Sequence, residues 1–373
     1  MNKFLTIGIA VYNIKEEYLR RCIESVISNR LSELEIIIVD DCSEESCSRV
    51  CREYRDSDDR IVYIRNIGNK GISDVRNTII DRARGEWVFF ADGDDMVAPC
   101  IGETLRGVSE YDLIIFNNKC FSDSESDSVG IRNDTTEPSI IRLNSEEIYD
   151  MAIASIARRD VVKCEIDGFK LNPGSVWATA YRTGFLKDGG FRFNKSLKTA
   201  EDSVFNASVL LKEPRAALCT EIIYYYRINP GSVTNRYDEN LKSVTDTYLR
   251  VIAEFIKNNF NESNAVMNEF LEYRCTRAVV DNFERNIFHR DNPKPRKERK
   301  AEFYSLLESE PYKTAVSSSD VRALKENKTR LSVRLAQMRM FGTLELFYRH
   351  EVLFKIYGGL SHRLNRLKKR FLT

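Results

Sequence analysis

Three carboxylates crowd the end of one apolar run, Gly85-Glu-Trp-Val-Phe-Phe-Ala-Asp-Gly-Asp-Asp95, which closes on Asp92, Asp94 and Asp95. Carboxylates this close repel one another unless a hard cation, commonly shared with substrate phosphates, neutralises them. For an isolated Asp-Gly-Asp-Asp, an acidic turn leading into a helix is the favoured explanation. A second acidic pair, Glu201-Asp202, opens a segment in which Val204, Phe205, Val209 and Leu210 are spaced for a helix. Both acids would sit in its first turn, where capping carboxylates are common. Asp41, in Asp40-Asp41, can accept from the imide N–H of a pyrimidine or cap the helix that follows. Lys70 and Arg76, on either side of Gly71, are cations expected beside phosphates. Arg227 and the Gly231-Ser232 loop read by themselves as a strand end and a Pro-Gly turn.

The elements that must position these residues alternate through the first third of the chain. Strands are predicted at Leu5 to Val11, Glu35 to Val39, Ile61 to Ile64 and Trp87 to Ala91, with helices at Glu16 to Ser28, Glu44 to Tyr54 and Ser73 to Ala83. This βαβαβαβ pattern specifies an α/β fold with a parallel sheet and right-handed crossovers. Tyr12-Asn13, Asp40-Asp41, Asn66 and the Asp92 to Asp95 turn then share one rim of that sheet, where α/β proteins bind ligands. The first strand-to-helix turn has no Gly-x-Gly-x-x-Gly and the chain no Walker lysine loop, which argues against a dinucleotide fold and P-loop phosphoryl transfer. Further elements are a helix at Gly102 to Val108, a strand at Leu113 to Phe116, a helix at Ser145 to Ala157 and a strand at Ala217 to Tyr226. A solvated loop is expected at Ser122 to Ser128. From about Tyr237 the helical period dominates, at Asn240 to Asn258, Ala265 to Phe288, Lys297 to Leu307, Val321 to Leu335 and in pieces from Leu344 to Phe371. Residues 1–235 thus read as a sheet domain and 236–373 as a helical region with a basic amphipathic tail.

At 373 residues, 42% of them hydrophobic, the chain can bury a large core. A formal net charge of +1 gives no global field for nucleic acid. The charge is unevenly placed, however: Asp320 to Thr373 holds 13 Lys/Arg against 4 Asp/Glu. Nine scattered cysteines with no Cys-x-x-Cys pair read as reduced thiols in a cytosol. The opening Met1 to Tyr12 reads as a core strand rather than a signal peptide, and no run approaches the ~20 apolar residues of a membrane span.

Taken together, residues 4 to 235 resemble the inverting glycosyltransferases of family 2, with their nucleotide-sugar-binding GT-A fold. Val11-Tyr12-Asn13 looks like that family's first strand end, and Val39-Asp-Asp-Cys-Ser43 like its Val-Asp-Asp-Gly-Ser, whose second Asp contacts uracil. Asn69-Lys70-Gly71-Ile-Ser73 with Val75-Arg76-Asn77 resembles its Asn-x-Gly-x-Ser-x-x-Arg-Asn segment. Asp92-Gly93-Asp94 resembles the Asp-x-Asp metal motif and Glu201-Asp202 the Glu-Asp pair whose Asp is the catalytic base. Trp177 to Arg182 and Tyr226 to Thr234 resemble segments of polysaccharide-building members. Cys42 replaces the usual Gly, and Gly93 the commoner Ser or Ala, a change expected to loosen the metal loop.

The resemblance implies a Mn2+ or Mg2+ ion held chiefly by Asp94, with Asp92 nearer the ribose, and a donor site of Val11, Tyr12, Asn13, Asp41, Asn69, Lys70, Gly71, Arg76, Asp92, Gly93, Arg227 and Ser232. Asp202 would be the base, with Trp177 and Glu201 on the acceptor side. The expected partners are a nucleotide-sugar donor, of UDP type, and a saccharide or polyprenyl-linked glycan acceptor. The expected product is a surface polysaccharide, whether exopolysaccharide, capsule or lipopolysaccharide. The expected location is cytoplasmic, with the basic tail either lying peripherally on the inner face of the membrane or packing as a helical cap on the catalytic domain with a solvated basic face. Two competing readings are a sugar-phosphate nucleotidyltransferase, whose Gly-rich, Arg-Leu-bearing loop is missing, and a non-catalytic sugar-nucleotide-binding partner subunit, against which the retention of Asp94 and Asp202 argues.

Overall fold

The computed structural model describes residues 3–122, 139–157, 165–166, 169–170, 174–228, 236–261, 263–321, 324, 326–350 and 353. The chain divides into two compact units, Met1–Pro230 and Gly231–Thr373. In the first, β1 (Lys3–Val11), β2 (Leu34–Asp40), β3 (Ile61–Arg65) and β4 (Gly85–Asp92) alternate with α1 (Glu16–Ile27), α2 (Glu45–Ser57) and α3 (Ile72–Arg82). These strands are parallel and lie in the order β3-β2-β1-β4. Next come β5 (Met96–Val97), α4 (Ile101–Arg106), β6 (Leu113–Phe121), β7 (Ile140–Arg142) and α5 (Ser145–Ala157). Two short strands, β8 (Glu165–Ile166) and β9 (Phe169–Lys170), pair with each other. The unit ends with β10 (Thr179–Arg182), α6 (Thr183–Asp188), α7 (Glu201–Leu210) and β11 (Ala216–Arg227). The sheet continues past β4 as β10-β6-β11-β5, β10 running antiparallel to both its neighbours and β7 pairing with β11.

Both faces of this sheet are buried, which is why its strands read as unbroken apolar runs. Successive residues divide between two cores: Ile36, Ile38 and Phe89 pack with Leu19, Ile23, Val50 and Leu105, whereas Ile37, Val39 and Phe90 pack with Ile79, Met151, Leu186 and Phe205. Helices α1, α2 and α4 therefore cover one face, and α3, α5, α6 and α7 the other. Gly8 admits α3 closely, since a Cβ there would lie 2.3 Å from Ile79 Cγ2.

The second unit is helical: α8 (Leu241–Asn259), α9 (Ala265–Asn282), α10 (Arg296–Glu308), α11 (Tyr312–Ser318), α12 (Asn327–Gln337) and α13 (Phe341–Arg349). Phe283, Phe288, Phe303, Phe341 and Tyr348 form its aromatic core. Three expectations are corrected here. The helix expected through Phe288 changes to a π-turn at Phe283–Ile287, and α11 is an additional element. The helix expected from Val321 begins instead at Asn327, and its Leu331, Val333 and Leu335 are buried, so this part of the basic segment is a packed helix. Most of the Ser122 to Ser128 loop, and nearly all of the chain beyond His350, lie outside the described residues.

Candidate active site

Strand β4 delivers its acids to the rim between β1 and β10, and the turn that follows is tied back by backbone. Gly93 N donates to Ala10 O at 3.0 Å and Asp95 N to Asp92 O at 3.0 Å. A Cβ on Gly93 would lie 2.9 Å from Ala10 O. The glycine therefore seats the acidic turn against β1, a correction to the loosening expected of it. Asp95 turns inward, accepting from Tyr224 Oη at 2.7 Å and Arg227 N at 2.7 Å. Burial, then Asp92 and Asp94, push its carboxyl up to about 8. Burial and Asp92 also raise Asp94. Apart from its own backbone N–H, the Asp94 carboxylate takes no hydrogen bond or ion pair among the described residues.

One buried guanidinium links this acidic turn to the other acidic pair. Arg76, on α3 and 4% exposed, places Nη2 3.1 Å from Asp92 Oδ1 and Nη1 3.1 Å from Glu201 Oε1, and Nη1 also bonds Asp202 Oδ1. Arg76, expected beside phosphate, is thus paired with three carboxylates, and Glu201, expected on the acceptor side, is paired with Arg76. Burial opposes the Arg76 charge, yet Asp202, Asp92 and Glu201 raise its pKa. Asp202 lies in the first turn of α7 as expected, and burial, opposed by Arg76 and aided by Glu201 and Asp92, pushes its carboxyl up to about 8.

On the opposite side of the rim Asp41 is buried and holds a loop. Its Oδ1 accepts from Asn66 Nδ2 at 2.7 Å and Lys70 N at 2.9 Å, and its Oδ2 from Gly71 N at 2.7 Å. Gly71 has φ 87°, left-handed backbone that suits glycine. Asp41 therefore shapes the Asn69-Lys70-Gly71 loop, whose Asn69 and Lys70 side chains are exposed. Tyr12 and Asn13 are exposed at the end of β1, where Asn13 Oδ1 accepts from Glu44 N at 2.8 Å. The Val11 side chain belongs to the core, and only its carbonyl, accepting from Asp41 N at 2.8 Å, meets the rim. Arg227, expected to close over a diphosphate, is instead buried: its guanidinium lies 4.0 Å from the Tyr18 ring and 4.5 Å from the Phe121 ring, and Nε donates to Asp94 O at 2.8 Å. Ser232 lies outside the described residues.

Residues 6–167 match the profile of Glycosyl transferase family 2. Residues 6–167 are thus similar to glycosyltransferase family 2. It is 30% identical to the glycosyltransferase GlyA of Streptococcus pneumoniae over 63% of this chain and 32% of GlyA. It is 27% identical to the uncharacterized glycosyltransferase EpsJ of Bacillus subtilis over 74% of this chain and 76% of EpsJ. The chain thus spans about a third of GlyA's length and most of EpsJ's. The crystal structure of Staphylococcus aureus TarS 1–349 in complex with UDP-GlcNAc superposes with a TM-score of 0.53 at 20% identity, covering 93% of this chain and 92% of that one. The fold is accordingly the GT-A fold expected from the sequence.

Within this site, Asp92, Asp94, Asp95, Glu201 and Asp202 outnumber Arg76 and Arg227, and burial first, then neighbouring carboxylates, raises Asp94, Asp95 and Asp202. No group of three or more His, Cys, Asp or Glu is gathered to hold a metal among the described residues. The acids that fit a hard divalent cation are Asp94 and Asp92, oxygen donors that would need donor phosphate oxygens to complete a shell. Trp177, half-exposed, stacks on Tyr224 at 5.1 Å and Tyr226 at 5.3 Å. Tyr226, 38% exposed, was not singled out from the sequence. Its phenol is pushed up by burial and by Asp95, Asp94 and Asp92, which marks it as a neighbour of the acidic turn.

Proposed function

We propose that the chain transfers a sugar from a UDP-sugar to a hydroxyl of a glycan or lipid-linked saccharide, with inversion, in the synthesis of a cell-surface polysaccharide. The observation that carries this reading is the bridge by which one buried arginine holds the metal-side Asp92 and the base-side Asp202 together. TarS supports the donor class: it is named a poly(ribitol-phosphate) β-N-acetylglucosaminyltransferase, and its structures contain UDP and UDP-GlcNAc. Asp94 and Asp92 would hold a Mn2+ or Mg2+ ion, which would supply charge stabilisation for the departing diphosphate. The Asp41-supported loop and Tyr12-Asn13 border the nucleotide. Asp202 takes the proton of the acceptor hydroxyl at a carboxylate oxygen as that hydroxyl attacks the anomeric carbon. Arg76 keeps this carboxylate oriented, and the Trp177–Tyr226 face supports the acceptor ring.

Peripheral attachment to the inner face of the cytoplasmic membrane belongs to the same proposal. Among the described residues no helix is long and apolar enough to cross a membrane.

The test is UDP release by the full chain from a panel of UDP-sugars, with and without Mn2+ or Mg2+, together with calorimetric titration of UDP. Asp94→Ala should abolish metal-dependent release and the metal's contribution to UDP affinity while leaving the thermal midpoint nearly unchanged. Wild-type release and affinity in Asp94→Ala would remove the metal assignment.

A further inference from the structure

Helix α3 grips the segment leading to Asp202 at points besides Arg76. Asn77 bonds one residue twice: its Nδ2 donates to Phe193 O at 2.9 Å and its Oδ1 accepts from Phe193 N at 2.9 Å. Both residues are buried and 116 positions apart. Ser73 Oγ donates to Asn194 O at 3.1 Å, and Lys195 pairs with Asp74. Asn77 acts on Phe193 as a strand partner would, fixing both polar groups of an otherwise irregular stretch. The Phe193 ring lies flat on Phe205, centroids 3.9 Å apart at 3°, and the Arg76 guanidinium lies 5.5 Å from its centroid. Phe205 stands on α7 one turn after Asp202, so its ring and the Asp202 carboxylate rise from the same face of the helix.

We infer that Asn77 is a positioning residue for the transfer reaction, setting the place of Asp202 through Phe193 and its stack on Phe205. Adjacent residues of α3 thus act in concert, Arg76 holding the carboxylate and Asn77 the helix that bears it. A shorter side chain at 77 leaves the Phe193 N–H and C=O unpaired in a buried place, and that segment shifts to recover partners. The inference rests on the reading of Asp202 as the base.

The experiment is a cycle in the full chain of wild type, Asn77→Ala, Asp202→Asn and the double variant. Turnover is read as UDP release from whichever UDP-sugar of the panel wild type consumes fastest. Asn77→Ala should lose about 10-fold to 10²-fold in turnover, with UDP affinity unchanged, and should cost nothing further in the Asp202→Asn background. An equal loss in both backgrounds, or none in either, overturns the inference. Wild-type turnover in Asp202→Asn overturns the base reading itself. Phe193→Leu, which keeps an apolar core residue but removes the stack, should show the same dependence on Asp202 should Asn77→Ala fold poorly. Hydrogen exchange supplies a readout independent of turnover: Asn77→Ala should raise exchange at the start of α7 and leave β1 to β4 protected, and unchanged exchange at α7 counts against the inference.

Discussion

Asp202 shares one guanidinium with Glu201 and Asp92, and that sharing governs its titration. With its carboxyl pushed up to about 8 by burial, against Arg76 and with Glu201 and Asp92, the group should titrate well above the usual carboxylate range in the free protein. A base must be ionised to act, so kcat/KM for the donor should climb up to about pH 8 and level off above it. A profile flat from acid to alkaline pH would remove Asp202 as the titrating base. Stability runs in the opposite sense. Between the ordinary carboxylate pKa and about 8 the folded chain keeps this proton and the unfolded chain has lost it, so stability falls as pH rises through that window. In chelator, the urea midpoint of Asp202→Asn relative to wild type should therefore increase with pH. The residues around Asp202 were legible as motifs but not as partners. Arg76 and Asp202 are 126 positions apart, and nothing local to either says that they meet. The surroundings of Arg227 were hidden for a similar reason, because Tyr18 and Phe121, the rings beside it, come from distant segments.

Helix α3 shows what an element adds. It begins beside Gly71, which Asp41 holds, carries Arg76 and Asn77 on its middle turns, and lies against β1 at Gly8. Gly8→Ala drives a methyl into Ile79 and should destabilise by about 1–3 kcal/mol, the usual scale of overpacking. In an Ile79→Ala background, where the colliding atoms are gone, the same change should cost little. Chemical denaturation of the four variants reads that coupling, and additive losses would mean that Gly8 serves no close approach. Strands β1, β2 and β4 were legible because burial on both faces makes them continuous apolar runs. Strand β10 was not: four residues between β4 and β6, antiparallel to both, carry too little pattern. The π-turn at Phe283–Ile287 was invisible because one added residue barely disturbs a helical period.

For the whole molecule, the open question is where the basic charge near the end of the chain acts. The Arg330 to Phe341 part of that segment packs through Leu331, Val333, Leu335 and Phe341 but exposes Met338 at 59% beside Arg339, and Leu346, at 51%, follows near the exposed Arg349. Beyond them Arg363, Arg366, Lys368, Lys369 and Arg370 alternate with Leu364, Leu367, Phe371 and Leu372, the composition of segments that lie on anionic bilayers. Each basic residue beside such a surface contributes about 1 kcal/mol, so five suffice for reversible attachment without insertion. Because α12 is part of a packed unit, removing everything after Ser319 would confuse attachment with unfolding. Replacing only the five terminal Lys and Arg by Gln in the full chain is the cleaner comparison. Wild type should float with vesicles containing anionic lipid, release as salt is raised, and ignore neutral vesicles, while the five-residue variant should stay at the bottom of the gradient with its UDP-releasing activity intact. Flotation of both chains alike, or of neither, would show that this tail is not the anchor.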